Sequence, residues 1–505
     1  MKKIACALTL ALCLGFTGSA LAQGAATTVQ GNDEKLAVTF RETRAAAERG
    51  EAAAQNSLGE MYAEGRGITR DIAQAVTWFR KAADQGYAEA QFNLGLVYDN
   101  GLGVAQDDAQ ALAWYRKAAE QGYAEAQFNL GVMYDNGQGI AQDDAQALAW
   151  YRKAAEQGYA KAQFNLAVMY DNGQGIAQDD AQALAWYRKA AEQGYAKAQF
   201  NLAAMYDNGQ GVAQDDVQAV HWYRKAADQG NAVAQTSLGW AYLNGRGIAR
   251  DDAQAVAWFR KAADQGFAPA QSNLGVMYKN SRGVARDDTQ AVNWYRKAAD
   301  QGFAPAQSNL AGMYEDGRGV AQDDAQAANW YRKAADQGEV NGQYNLGVMY
   351  REGRGVAKDD AQAVYWSRKA ADQGDADGQY NLGLMYANGH GVAQDDAQAV
   401  VWLRKAADQR HARAQSKLGL MYANGRGVAR NDAQAVGWFF KAAEQGDASA
   451  QYLLGVMYRE GRSVTQSDAR AAALFRKAAD QGDADAQDAL RKMVASSRDL
   501  SKQPR

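Results

Sequence analysis

Twelve tyrosines recur 36 residues apart, from Tyr62, Tyr98 and Tyr134 through to Tyr458. A tryptophan follows each of the first eleven by sixteen residues, from Trp78 to Trp438, and Leu474 takes that slot in the last. A fixed period of this length specifies a repeat array, in which each unit packs only on its neighbours. That pattern overrides the several globular domains that 505 residues would otherwise suggest. An array has a long surface and no single deep pocket, so binding is the default role and catalysis needs evidence of its own.

One unit reads as two helices. The first is expected over 88–100, where Ala90, Gln91, Leu94, Gly95, Val97 and Tyr98 share a face at helical spacing. Its mid-helix Gly95 becomes Ala167, Ala203 and Ala311 in the same phase. Only small residues occur there, so the demand is close helix approach and not a positive φ. Gly101-x-Gly103 then supplies a left-handed C-cap, and Asp107-Asp108 caps the second helix and complements its dipole. The second helix carries Ala111, Leu112, Trp114, Tyr115, Ala118 and Ala119 inward and ends at Gly122. Arg116 is placed to pair with Glu120 at i,i+4. Pro269 and Pro305 fall in first turns, where proline is tolerated.

The ends differ from the body. Lys2 and Lys3, the apolar run 4–16 and Ala20-Leu21-Ala22 before Gln23 form a secretory signal, so 1–22 is expected to be cleaved. The run is too short for a spanning anchor, and Leu12 before Cys13 does not fit a lipoprotein signal. Residues 23–35 are expected to be a disordered linker and 36–50 an N-terminal capping helix. The repeats occupy 51–482, a C-terminal capping helix 483–495, and a disordered tail 496–505. Cys6 and Cys13 leave with the signal, so the mature chain has no disulfide. Without Lys2 and Lys3, the 55 basic residues become 53 against 58 acidic ones, a net charge of −5. The signs alternate, giving no stripe for nucleic acid and no cluster for anionic lipid. The expected protein is exported, with the periplasm as destination and secretion or the cell surface as alternatives. No stable membrane insertion is expected after cleavage, and the oligomeric state stays open.

The pattern Ala90-Gln91-x-x-Leu94-Gly95-x-x-Tyr98-x-x-Gly101-x-Gly103-Val104-x-x-Asp107, then Ala111-x-x-Trp114-Tyr115-x-x-Ala118-Ala119-x-x-Gly122, resembles the Sel1-like repeats, relatives of the tetratricopeptide repeats. The resemblance implies an all-α fold, an α/α superhelical solenoid of about twelve helix pairs. It also implies adaptor roles in signalling, envelope assembly or contact with a host. Four departures fall at structural slots. Ser281 and Ser463 replace turn glycines, Arg410 a terminating glycine and Phe440 an arginine. Some exported relatives are cysteine-rich and associated with penicillin binding or hydrolysis, but this chain lacks those cysteines.

Motifs for chemistry are sparse. His221, His390 and His411 lie far apart in sequence, with no metal-ligand spacing, and no S-x-x-K, G-x-S-x-G or phosphate loop occurs. No metal or cofactor is implied. The segment 135–144 has the acidic look of a calcium loop, but the hydrophobic Ile140 and the missing closing Glu favour a C-cap turn followed by N-capping aspartates. The recurrent Arg116-Lys117 pair reads as a solvated, salt-bridged face rather than a polyanion site.

The first-helix face opposite the core is the informative one. Helical steps of about 100° carry positions 92 and 96 away from Leu94, where polar residues are expected. That face carries Phe92 with Leu96, Phe128 with Val132, Phe164 with Val168, Phe200 with Ala204 and Thr236 with Trp240. Tyr344 with Val348, Tyr380 with Leu384 and Tyr452 with Val456 follow. In tetratricopeptide-like arrays this face lines the concave groove, so Phe92, Phe128, Phe164, Phe200, Trp240, Tyr344, Tyr380 and Tyr452 are candidate anchors for a protein or peptide partner. The alternative is that curvature buries them between adjacent helices. Asp99, Asp135 and Asp171 flank the ladder early and Arg351 and Arg459 late, a charge gradient able to orient a partner. Repeats two to five are near copies, so a tailored site is expected between Asn231 and Asp447. The reading is a non-enzymatic scaffold. The alternatives are an envelope enzyme or enzyme modulator acting on β-lactam or peptidoglycan, or a virulence factor that binds a host protein.

Overall fold

Each repeat builds its two helices from the ends inward. The computed structural model describes residues 26–500, with side chains described from 36 to 493. The expected signal peptide, 1–22, lies outside the described residues. Among these there are 26 helices: one N-terminal cap, twelve pairs and one C-terminal cap. We call the two helices of a repeat A and B; in repeat 2 they are Ala88–Asn100 and Asp108–Glu120. The described chain divides into two compact units, one ending at Asp251 and one beginning at Asp252.

Capping sets the helix boundaries. Asp107 is extended at φ −149 and accepts from the Gln110 amide, which satisfies a free donor at the start of helix B. The A helix stops at Gly101, whose φ of 64 is left-handed and whose N–H reaches the Val97 carbonyl. The segment 135–144 folds in the same way. Gly137 and Gly139 adopt φ 65 and 67, and Asp143 caps the next helix through Gln146. It is a cap-to-cap turn.

Small residues set the spacing of A against B. A Cβ added at Gly95 would lie 2.5 Å from the ring of Tyr115, which is fully buried. In repeat 4 the same slots hold Ala167 and Tyr187, both fully buried, so the seam there accommodates a methyl group. Buried leucines such as Leu94, Leu130 and Leu166 fill the rest of the seam with the paired alanines of helix B.

Three expectations need correction. The N-terminal cap runs Ala26–Glu48, so most of the expected 23–35 linker is helical. No proline interrupts it, and a helix once docked at Phe40 and Ala47 propagates outward at little cost. For the same reason the C-terminal cap runs Ala484–Leu500 and takes in half of the expected tail. Arg116 does not pair with Glu120; its guanidinium donates to the Tyr134 hydroxyl of the next repeat at 3.1 Å. Lys117 lies 4.0 Å over the Trp114 ring. Arg152–Tyr170 and Lys153–Trp150 repeat both contacts. The basic ladder is therefore used up in joining repeats and roofing indoles.

Candidate interaction face

The A-helix ladder is half buried, and its seating is regular. The Phe92 ring lies 5.8 Å from Tyr115 of its own B helix and 5.2 Å from Tyr123, which opens the next repeat. Phe128 sits equivalently against Tyr151 and Tyr159, and Phe164 against Tyr187 and Tyr195. Phe200 keeps Tyr223, but Asn231 replaces the second tyrosine. Each rung is thus wedged by one edge into a repeat junction and shows the other edge on the surface. Trp240 is the most open of the candidates at 44% exposure. It lines a shallow cavity of 220 Å³ with Asp207, Tyr223, Ser237 and Arg246.

In the second unit the seating changes. Tyr344 is half buried, and burial foremost raises its hydroxyl pKa, with Asp377 adding to it. Tyr380 stacks on His411 at 4.8 Å. His411 is itself an N-cap, taking the Ala414 amide on Nδ1 at 3.0 Å and meeting Asp377 through Nε2 at 3.1 Å. Tyr452 rests on Phe475 at 5.6 Å.

The candidate charges are engaged at junctions. Asp99 accepts from the Tyr115 hydroxyl at 3.2 Å and from Gln138 of the next repeat at 2.8 Å. Burial, above all, raises its carboxyl above the ordinary range. Asp135 takes Tyr151 and Gln174, and Asp171 takes Tyr187 and Gln210. Arg351 donates to Asn381 and Glu352, and Arg459 lies 5.9 Å from the Phe475 ring centre. Within each unit the rungs and the flanking charges lie on the A helices, and in the first unit the aspartates also fasten repeat to repeat.

Reasoning from sequence missed a buried glutamine relay. Gln127 donates to the Ala119 carbonyl at 3.1 Å and accepts from Gln157 at 2.7 Å. Gln163 does the same with Ala155 and Gln193. The signal was present as two glutamines held 30 residues apart in phase, such as Gln91 and Gln121. Among the described residues no group of three or more His, Cys, Asp or Glu is placed to hold a metal, and no helix is long and apolar enough to cross a membrane.

These stacked pairs, alike in capping and seam, define an all-α, tetratricopeptide-like solenoid. The Sel1 repeat profile matches twelve abutting segments, from 52–87 to 448–483, and the chain belongs to the Sel1 repeat family. Members are in general protein-interaction scaffolds. Among solved structures, the chain is similar to a protective antigen of uropathogenic Escherichia coli with the same repeat fold. They share 38% identity and a TM-score of 0.73 over 92% of this chain and 98% of the other. A Sel1 repeat protein from Oxalobacter formigenes shares 37% identity and a TM-score of 0.50, over 61% of this chain and 90% of its own. A search of curated proteins gave no match.

Proposed function

We propose that this chain is an exported, non-enzymatic scaffold that binds a protein or peptide along its A-helix face. The observation that carries the reading is the half-buried aromatic ladder. Phe92, Phe128 and Phe164 are each immobilised against the next repeat before any partner arrives, so little side-chain entropy is lost on binding. The opposite basic ladder is already satisfied within the array, which leaves the A-helix face as the stronger candidate. Export rests on the signal pattern in 1–22, with the periplasm as destination. The likeness to a protective antigen favours a second reading, contact with a host protein at the cell surface.

The test is cross-linking from envelope extracts with wild type and a Val168→Ser, Trp240→Ser double variant, which leaves the Phe–Tyr wedges intact. Loss of the same partner at unchanged helicity supports the face, and an unaltered partner set overturns it. Mass spectrometry of the mature chain should find Gln23 at its N-terminus. Surface labelling of intact cells separates the two destinations. Incubation with a chromogenic β-lactam or peptidoglycan should give no turnover.

A further inference from the structure

The twelve repeats pair one slot on helix A with one on helix B, sixteen residues on. Where the first slot is acidic the second is tyrosine: Asp99 with Tyr115, Asp135 with Tyr151, Asp171 with Tyr187, Asp207 with Tyr223, Glu315 with Tyr331. Where it is not acidic the phenol is gone, as in Ala63 with Phe79, Arg351 with Ser367, or Arg459 with Phe475. Repeat 7 alone breaks the rule, with Lys279 opposite Tyr295.

The chemistry explains the coupling. In each acidic repeat the carboxylate accepts from the phenol and from a side chain 39 residues on. For Glu315 these are Tyr331 at 2.9 Å and Arg354 at 2.7 Å. Where both members are lost, Arg426 and Arg462 turn to the Ala387 and Ala423 carbonyls at 3.0 and 3.5 Å, while Arg282 keeps only Asp252 among the described residues. In repeat 7 the donors remain and the acceptor has become a cation. Tyr295 is fully buried and its hydroxyl has no hydrogen-bond partner among the described residues. Arg318, the residue 39 on, keeps only Asp288 among the described residues, at 3.0 Å. Lys279 forms no ion pair among the described residues.

The nearby acids are neutralised, Asp288 between Arg286 and Arg318 and Glu315 by Arg354. The face is also thinner here, because Ser272 and Ser308 stand in the aromatic rung slots and Gly312 in the aliphatic slot of repeat 8, while repeat 7 keeps Val276. A Cβ at Gly312 would find only the Tyr331 hydroxyl, at 3.5 Å. The Ser308 hydroxyl donates to Glu339, the acid that opens repeat 9.

We propose that this junction recognises a carboxylate supplied by a bound polypeptide, which takes from Tyr295 and Arg318 the bonds that a resident acid takes in other repeats and pairs in addition with Lys279. The flexible stem of Lys279 swings aside to admit it. An unpaired buried hydroxyl carries a desolvation cost that a charged acceptor removes, and a carboxylate is the acceptor this donor set fits elsewhere in the same chain. The inference rests on the reading that a polypeptide docks on the A-helix face, and it places an acidic residue of that polypeptide at repeat 7.

The experiment uses the full chain and fluorescence anisotropy with labelled, end-capped dodecapeptides carrying Glu or Gln at the centre. A third peptide has Gln and a free C-terminal carboxylate, and inorganic phosphate serves as competitor. The Glu peptide should bind at least tenfold tighter than the Gln peptide, and Lys279→Asp should abolish the difference. The free-terminus peptide shows whether a chain end serves as well as a side chain. Glu and Gln peptides that bind equally, and alike in Lys279→Asp, overturn the carboxylate site and leave the face intact. If no peptide binds, both readings fall. Displacement by phosphate at equal concentration overturns the polypeptide source in favour of a free anion. A separate readout tests the premise without any ligand. Tyr295→Phe should raise the melting temperature, because it removes an unpaired buried hydroxyl, whereas Tyr151→Phe lowers it by about 2–4 °C; equal losses would overturn the proposal.

Discussion

Three residues hold a left-handed backbone that the other repeats give to glycine: Ser281 at φ 56, Arg410 at φ 68 and Ser463 at φ 52. The turns survive these departures at the cost of strain. A side chain in this region costs about 1–2 kcal/mol, and glycine returns roughly half of that through a freer unfolded chain. Each change to glycine should therefore stabilise by about 0.5–1 kcal/mol. Position 463 should respond most. At its equivalent, Gly427, a Cβ would lie 2.1 Å from the Asp396 carbonyl of the preceding repeat, whereas at Gly446, equivalent to 410, it meets nothing. Urea midpoints for the three variants check the ranking. A second prediction concerns acid. Arg462 and then Arg430 hold the Asp432 carboxyl down to about 2. A depressed folded-state pKa gives stability that is full above the ordinary carboxylate range and lost as pH falls through about 2. In Arg462→Gln the melting temperature should fall less steeply between pH 4 and pH 2 than in wild type.

At the scale of the element, the glutamine relay joins the end of each B helix to the next A helix. Gln163 is 4% exposed, donates to Ala155 at 3.1 Å and accepts from Gln193 at 2.7 Å. Gln163→Leu leaves the Ala155 carbonyl and the Gln193 amide unpaired and should cost about 2–3 kcal/mol. Gln193→Ala removes only the outer, exposed member and should cost less than half as much. Chemical denaturation gives both values, and amide exchange should show the loss confined to 154–166. The helices themselves were legible in the sequence, since Asp107, Gly101 and Gly122 mark their ends by local chemistry alone. The relay was not. Gln91 reads as a polar blemish on an apolar face until the Ala83 carbonyl is seen above it. The aromatic ladder was legible as apolar residues on the wrong side of helix A. Its wedge against Tyr123 was not, because that contact spans 31 residues and depends on how two repeats meet.

For the molecule as a whole, near-identity of repeats two to five makes their junctions interchangeable. Phe92 meets Tyr123 as Phe128 meets Tyr159, and Asp99 takes Gln138 as Asp135 takes Gln174. Deleting 124–159 in frame reproduces every such contact, with Gln174 now serving Asp99. The shortened chain should keep its helicity per residue and melt within a few degrees of wild type, as circular dichroism would show. Deleting half a repeat, 124–141, should instead unfold the neighbourhood, because helix A would be lost while its B helix remained. Architecture at this scale was readable from the 36-residue period, whereas the outer limits of the two end caps were not, since no proline or glycine pair marks where docked helix stops. The interchangeable joint has a consequence for heredity. Coding segments this alike invite misaligned exchange between sister copies, and offspring that gain or lose one whole module inherit a fitting socket on either side. The number of modules can therefore drift in lineage by whole steps, while the odd junction at Lys279 has no twin to exchange with.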